Sequence, residues 1–174
     1  MSNVFLKTTR ITLRYITQAD FNELKVILQD KEVMRVWEYN FKNEDVQDWI
    51  NKNLELYKKH NLGYFLMIEN ISGKVLGQAA LIKDIIDGCK YYEIGYIIKK
   101  EYRHQGFATE IAKALKDYAF NILNLKEVIF EIKPDNIPSR KVAERLNAVV
   151  VGDFIKKVKD KNMLHLIYKL SNIK

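Results

Sequence analysis

The run YYEIGYIIKKEYRHQGFATEIAKALKDYAF, residues 91–120, constrains this chain more than any other stretch. A mostly apolar, strand-like segment ends in a basic turn, and the turn opens directly into a pattern of helical period. The first amides of such a helix have no intrahelical partner, and the macrodipole adds partial positive charge there. A helix start of this kind is an anion site. Gly106 lets the backbone approach a phosphate where a Cβ would block it, and Arg103 with the Lys99-Lys100 pair adds full charges nearby. The plain alternative is a tight strand-to-helix turn that binds nothing.

The flanking pattern is that of an α/β domain. Residues 10–15, RITLRY, alternate apolar and polar as a strand does. Thr17-Gln18-Ala19-Asp20 opens an expected helix with Thr17 as N-cap and Phe21, Leu24, Ile27 and Leu28 on one face. A second helix is expected from Asn43-Glu44-Asp45, with acids in its first turn and Lys58, Lys59 and His60 in its last, as the dipole prefers. From Gly63 the period shortens. Residues 64–69 and 74–83 read as strands joined by a turn at 70–73, Asp87-Gly88 as a hairpin turn, and 91–99 as the fourth strand. The helix after Gly106 has its expected inner face at Ile111, Ala114, Leu115, Tyr118, Ala119, Ile122 and Leu123. Residues 128–133 form the fifth strand. A helix over 139–146 follows, with Pro138 where a first-turn proline is tolerated. Strands at 148–155 and 163–170 close the chain around 156–162, a charged turn read as a solvated hairpin end. One domain over 1–174 is the simplest organisation.

Composition removes several classes. No apolar run reaches the length of a membrane span, and the N-terminal segment has no signal-peptide pattern. Cys89 is the single cysteine and is read as incidental, and His60, His104 and His165 lack metal-ligand spacing, so no metal is expected. A cytoplasmic location is the default expectation. The net charge is +7, yet residues 18–50 hold eight acids against four bases. A basic anion-binding part beside an acidic segment suits an anionic cofactor and a cationic substrate, the alternative being ordinary solvated faces. No nucleic-acid motif accompanies the charge, so neither nucleic acid nor a membrane is expected as partner.

Arg103-His104-Gln105-Gly106-Phe107-Ala108 fits Arg/Gln-x-x-Gly-x-Gly/Ala, the pyrophosphate-binding signature of the GCN5-related (GNAT) N-acetyltransferases, and the element order resembles that whole fold. Three further stretches are similar to the RimJ/RimL-type branch, which acetylates ribosomal proteins: Thr9-Arg10-Ile11-Thr12-Leu13-Arg14, Glu93-Ile94-Gly95-Tyr96 and Asn136-Ile137-Pro138-Ser139. There are departures. His104 stands where many relatives carry a small residue, and Asn147 replaces a helix-ending glycine, a position asparagine tolerates. The resemblance implies a mixed, mostly antiparallel sheet, splayed between the fourth and fifth strands and flanked by helices.

It also implies acetyl-CoA as co-substrate. Ile97, Ile98 and Lys99 would offer backbone groups to the pantetheine arm as an added strand would. Residues Arg103, His104, Gln105, Gly106, Phe107 and Ala108 would wrap the pyrophosphate, with Thr109 supplying a hydroxyl. Asn136 would hydrogen-bond the pantetheine, and Arg140 or Lys141 would reach the far phosphate. Transfer is expected to be direct, onto a primary amine. Glu93 is assigned as general base acting through water, the alternative being a structural carboxylate paired with a neighbour. Many relatives place a tyrosine after the fifth strand to protonate the leaving thiolate. That helix has none here, so Ser139 is the available hydroxyl, its alternative being a helix cap.

Two acceptor classes remain open, the N-terminal amine of a protein or peptide and a small cationic amine such as a polyamine, with Glu32, Glu38 and Glu44 as contacts. A sensor that binds acyl-CoA without turnover is the other class of function. A homodimer is a family-level expectation only.

Overall fold

The strand order is β1-β2-β3-β4-β5-β6-β8-β7, with both parallel and antiparallel neighbours. The computed structural model describes residues 3–173. Its strands are β1 (Val4–Lys7), β2 (Ile11–Tyr15), β3 (Gly63–Glu69), β4 (Val75–Ile86), β5 (Cys89–Ile98), β6 (Glu127–Ile132), β7 (Val149–Val158) and β8 (Lys161–Ser171). Its helices are α1 (Phe21–Leu28), α2 (Asn43–His60), α3 (Phe107–Asn121) and α4 (Ile137–Arg145). The α/β class expected from the pattern holds, with one addition. The four-residue strand β1 pairs with β2, so the expected fourth and fifth strands are β5 and β6. A strand that short carries no readable period.

The chain divides into two units, Met1–Ala80 with Tyr96–Phe107, and Leu81–Gly95 with Ala108–Lys174. In the first unit β1, β2 and β3 form an antiparallel meander, with Leu13 opposite Met67. Ile11 and Leu13 are fully buried while their polar neighbours are not, which is the alternation read from the sequence. Leu24, Ile27 and Leu28 of α1 and Val46 and Ile50 of α2 bury their stripe with Ile16, Leu66 and Ile97. A short 3-10 turn, Gln18–Asp20, precedes α1. Thr17 is the N-cap of that turn, as expected, and Asp20 reaches back to it: its Oδ2 accepts from the Thr17 amide at 2.7 Å and the Thr17 hydroxyl at 2.9 Å.

In the second unit β8 lies between β6 and β7, antiparallel to both. Strand β5 runs parallel to β6 with Glu93 opposite Ile129. Asp87 (φ 49°) and Gly88 (φ 81°) are both left-handed, as the tight hairpin between β4 and β5 requires. Helix α4 starts at Ile137, two residues before the expected 139, with proline in its first turn. It ends as expected of Asn147: φ is 66°, the Asn147 amide donates to the Glu144 carbonyl at 2.9 Å, and the Ala148 amide donates to the Ala143 carbonyl at 3.0 Å.

The inner face of α3 and the β7–β8 hairpin differ from the pattern expected. Ile122 is 62% exposed because α3 stops at Asn121, and the buried face takes Ala112 and Phe120 instead. Nor is 156–162 a solvated turn. The β7 and β8 strands run on to Val158 and Lys161, and only Lys159-Asp160 turn.

Candidate active site

The turn into α3 is built from the first unit. A short 3-10 segment, Lys100–Tyr102, drops the chain out of β5. His104 (φ 61°) and Gly106 (φ 81°) then bend it through left-handed conformations to Phe107, the first residue of α3. A clamp from β2's approach holds the bend. Arg10 Nη1 donates to the Gln105 carbonyl at 2.9 Å, and the Arg10 guanidinium lies 4.5 Å above the Phe107 ring. A Cβ on Gly106 would come within 3.4 Å of Arg10 Nη2, so glycine here serves both the left-handed backbone and this close approach. The turn fits a pyrophosphate: a helix start, a left-handed glycine and several cations share a few residues.

Those cations are engaged within the unit. Lys99 Nζ lies 3.2 Å from Glu23, and Lys100 Nζ lies 2.6 Å from Glu32. Arg103 donates over longer distances, 3.4 Å, to the Ile98 and Glu32 carbonyls. Glu32, read as an acceptor contact, is thus the partner of Lys100 here.

The end of β5 is held in place by Gly77 on β4. A Cβ at Gly77 would sit 2.0 Å from the Ile97 carbonyl oxygen and 2.9 Å from Ile98 Cα, so only glycine admits this approach. The Lys99 amide donates to the Leu76 carbonyl at 2.9 Å. Of the three residues expected to face a pantetheine arm, Lys99 therefore has its N–H already committed.

Glu93 lies in the second unit and is buried. Pairing fixes what shares its face. Glu93 is opposite Ile129, and Glu131 is the next residue of β6 on that side. Glu131 is opposite Ile167, Phe154 is opposite His165, and Lys156 is opposite Met163. One face thus carries Glu93, Glu131, His165 and Lys156 beside an apolar cluster of Ile86, Ile129 and Ile167, with Tyr91 and Phe154 packed on it. The Asp84, Glu93 and Glu131 carboxylates come within 4.8 Å of one another. Lys156 Nζ is 2.5 Å from Glu131 Oε2 and 3.8 Å from Asp84 Oδ2, so its ammonium is the cation of the group.

Burial first, then the Glu131 carboxylate, pushes Glu93 up to about 8, with Lys156 pulling the other way. Burial likewise lifts Glu131 to about 7 against the attraction of Lys156. His165, on the same face, is lowered by burial, with Lys156 and Lys133 adding to that.

Asn136 and Ser139 start α4. Asn136 is the N-cap residue by position, but its side chain makes no capping bond. Ser139 lies inside the first turn and so is not the cap. Arg140 turns back on its own unit, Nε to the Tyr168 hydroxyl at 2.9 Å and Nη1 to the Pro134 carbonyl at 3.0 Å, rather than outward toward a phosphate.

Sequence reasoning singled out neither Arg10 as a clamp nor Asp84, Glu131 and Lys156 as neighbours of Glu93. One signal was available for Lys156. Gly152, Phe154, Lys156 and Val158 alternate with more exposed residues along β7, which places the lysine on the inner side with Phe154.

The model of the Acetyltransferase (GNAT) domain matches residues 10–149. An uncharacterized N-acetyltransferase of Bacillus subtilis (strain 168), YnaD, is 30% identical over 152 residues, 87% of this chain and 86% of that protein. The spermidine N(1)-acetyltransferase of Escherichia coli (strain K12) is 27% identical over 148 residues, 84% of this chain and 72% of that one. A GNAT-family acetyltransferase structure from Bacillus anthracis superposes with a TM-score of 0.80 at 25% identity, covering 96% of this chain and 98% of the other.

Proposed function

The chain belongs to the GNAT acetyltransferase family, and on that premise we propose that it moves an acetyl group from acetyl-CoA directly to a primary amine. The observation that carries the donor assignment is the arginine-clamped, left-handed turn at the start of α3. Residues 103–107 and the hydroxyl of Thr109 hold the pyrophosphate, with Ala108 small enough for the helix start to close on it. Arg103, Lys99 and Lys100 exchange their partners within the chain for the phosphates. Ile97 and Ile98 offer backbone groups to the pantetheine arm, and the side chain of Asn136, which makes no capping bond, hydrogen-bonds it.

Acetyl-CoA supplies an activated acyl group on a thiolate leaving group. An aliphatic amine has an ordinary pKa of about 8 to 10.4, so it arrives as an ammonium and must lose a proton before its nitrogen can attack. Glu93 takes that proton through a water. Its raised pKa places it close to the amine's own, where proton transfer is most nearly balanced. The new C–N bond forms as the C–S bond breaks, and Ser139 offers its hydroxyl hydrogen to the departing sulfur. Cys89 is exposed and takes no part.

Two acceptor classes have support. Likeness to a spermidine acetyltransferase and the acidic segment at 18–50 favour a small polyamine. Similarity to RimJ/RimL-type stretches around Glu93 and Asn136 favours a protein N-terminus. The test is free CoA thiol released from acetyl-CoA in the presence of spermidine, spermine, lysine, or peptides with Ala, Ser or Met N-termini. A protein-only control accounts for Cys89. Acceptor-dependent release, with mass spectrometry showing one added acetyl group, is the expected result. Tight acetyl-CoA binding with no turnover on any acceptor would instead make this an acyl-CoA sensor, and absence of binding would overturn the proposal.

A further inference from the structure

Building on the reading of Glu93 as the base, we propose that Glu131, anchored by Lys156, is a positioning residue for the transfer. Its carboxylate faces Glu93 on the same side of the sheet and makes Glu93 the group that takes the proton the amine must lose.

The geometry is specific. The Glu131 side chain is 1% exposed, while Lys156 and Asp84 are each 34% exposed. Glu131 is therefore the enclosed member of the group, and the partners that hold it reach toward solvent. Lys156 satisfies Glu131 Oε2 at 2.5 Å. Glu131 Oε1 is buried and accepts no hydrogen bond among the described residues. A buried carboxylate oxygen left in that state favours a proton being retained close by.

Three carboxylates facing one ammonium are short of positive charge, and in an apolar setting the group holds protons to make up the difference. The ammonium is closest to Glu131, so Glu131 is the member it keeps ionised. The retained proton then falls first to Glu93, which is buried, faces the negative Glu131 and, among the described residues, makes no ion pair as close as that of Glu131 with Lys156. That proton leaves as the pH rises through the raised Glu93 pKa, and the carboxylate then formed is the base that takes the amine's proton. The charged and titratable groups bearing on Glu93 are Asp84 from β4, Glu131 from β6 and Lys156 from β7, and His165 of β8 shares the face. The first two raise its affinity for a proton, and Lys156 lowers it.

The decisive variant is Glu131→Gln. Glutamine keeps an acceptor for Lys156 Nζ while removing the negative charge that faces Glu93. The acidic limb of the pH profile of kcat/KM should move to lower pH by roughly one unit or more. Glu131→Asp restores the charge and should bring the limb back toward the parent's. A purely structural role would rank the variants by shape and not by charge.

A readout independent of activity is the titration of the Glu93 carboxyl carbon by NMR in protein labelled with 13C-glutamate, assigned by Glu93→Gln. Its midpoint should fall with the kinetic limb in Glu131→Gln. A folded Glu131→Gln protein whose limb and Glu93 midpoint both stay at the parent's values would overturn the proposal. If Glu93→Gln turns over like the parent, the base assignment fails and the catalytic role of Glu131 fails with it. The NMR midpoints would still show whether Glu131 governs Glu93, so the two failures are distinguishable.

Discussion

The turn at the head of α3 and the acid group around Glu93 use the same residue types to opposite ends. In the turn, Lys99, Lys100 and Arg103 have partners from far along the chain, but Lys100 and the acids of the pairs are half exposed or more. Ion pairs of that kind contribute little, because water competes for both charges. They can be exchanged for a phosphate at small cost. In the acid group the Glu93 and Glu131 carboxyls are themselves enclosed and water cannot solvate them freely, so the count of charges decides which group holds a proton. The difference between the regions is solvation. A lysine beside a glutamate is an exchangeable pair in the first and a setting of proton affinity in the second.

The largest effect that would sharpen this contrast is on chemistry. Glu93→Gln should lower turnover by about two to three orders of magnitude while acetyl-CoA still binds, measured by thiol release and calorimetric titration. Arg103→Ala probes the other region and should do the reverse. The KM for acetyl-CoA should rise by about tenfold, the scale of one charge-assisted hydrogen bond, with kcat and melting temperature nearly unchanged. A fall in kcat alone would mean that the turn is not the donor's site.

Stability separates the regions next. Lys156→Met leaves Glu131 buried without its cation, and should cost about 2 kcal/mol at pH 8, a figure reduced because a third of Lys156 is in water. The sign with pH follows from the raised pKa of Glu131. A carboxyl lifted on folding favours the native state fully below its unfolded value, and that advantage is lost as pH rises through the folded one. The penalty of Lys156→Met should therefore shrink at pH 5, where Glu131 is protonated, and denaturant unfolding at the two pH values checks it. The smallest effect belongs to the exposed turn. His104→Gly relieves a left-handed non-glycine residue and should add about 0.5 kcal/mol in the same measurement.

Much of this molecule was legible one segment at a time. Helix α2 begins at Asn43 where the acids are, and Asn147 ends α4 with a left-handed residue, because capping is decided by neighbours in sequence. The turn at Gly106 was legible for the same reason. Strand β1 was not, being too short for alternation to show, and Ile122 was misplaced because the helix ended one residue before it. Lys156 shows the limit most clearly. Its alternation with Phe154 hinted at an inward side chain, yet nothing in the run from 149 to 158 names Glu131 as its partner.

The sequence by itself determined the order of elements after β1, the family and the glycine turn at the head of α3, all of which rest on periods and spacings within a few residues. Only the tertiary structure decided that residues 84, 93, 131 and 156 share one enclosed group, and that Arg10 clamps a turn 95 positions away. The reason is that electrostatic energy depends on separation and on the surrounding dielectric. Strand pairing sets both, and neither is written into any single stretch of the chain.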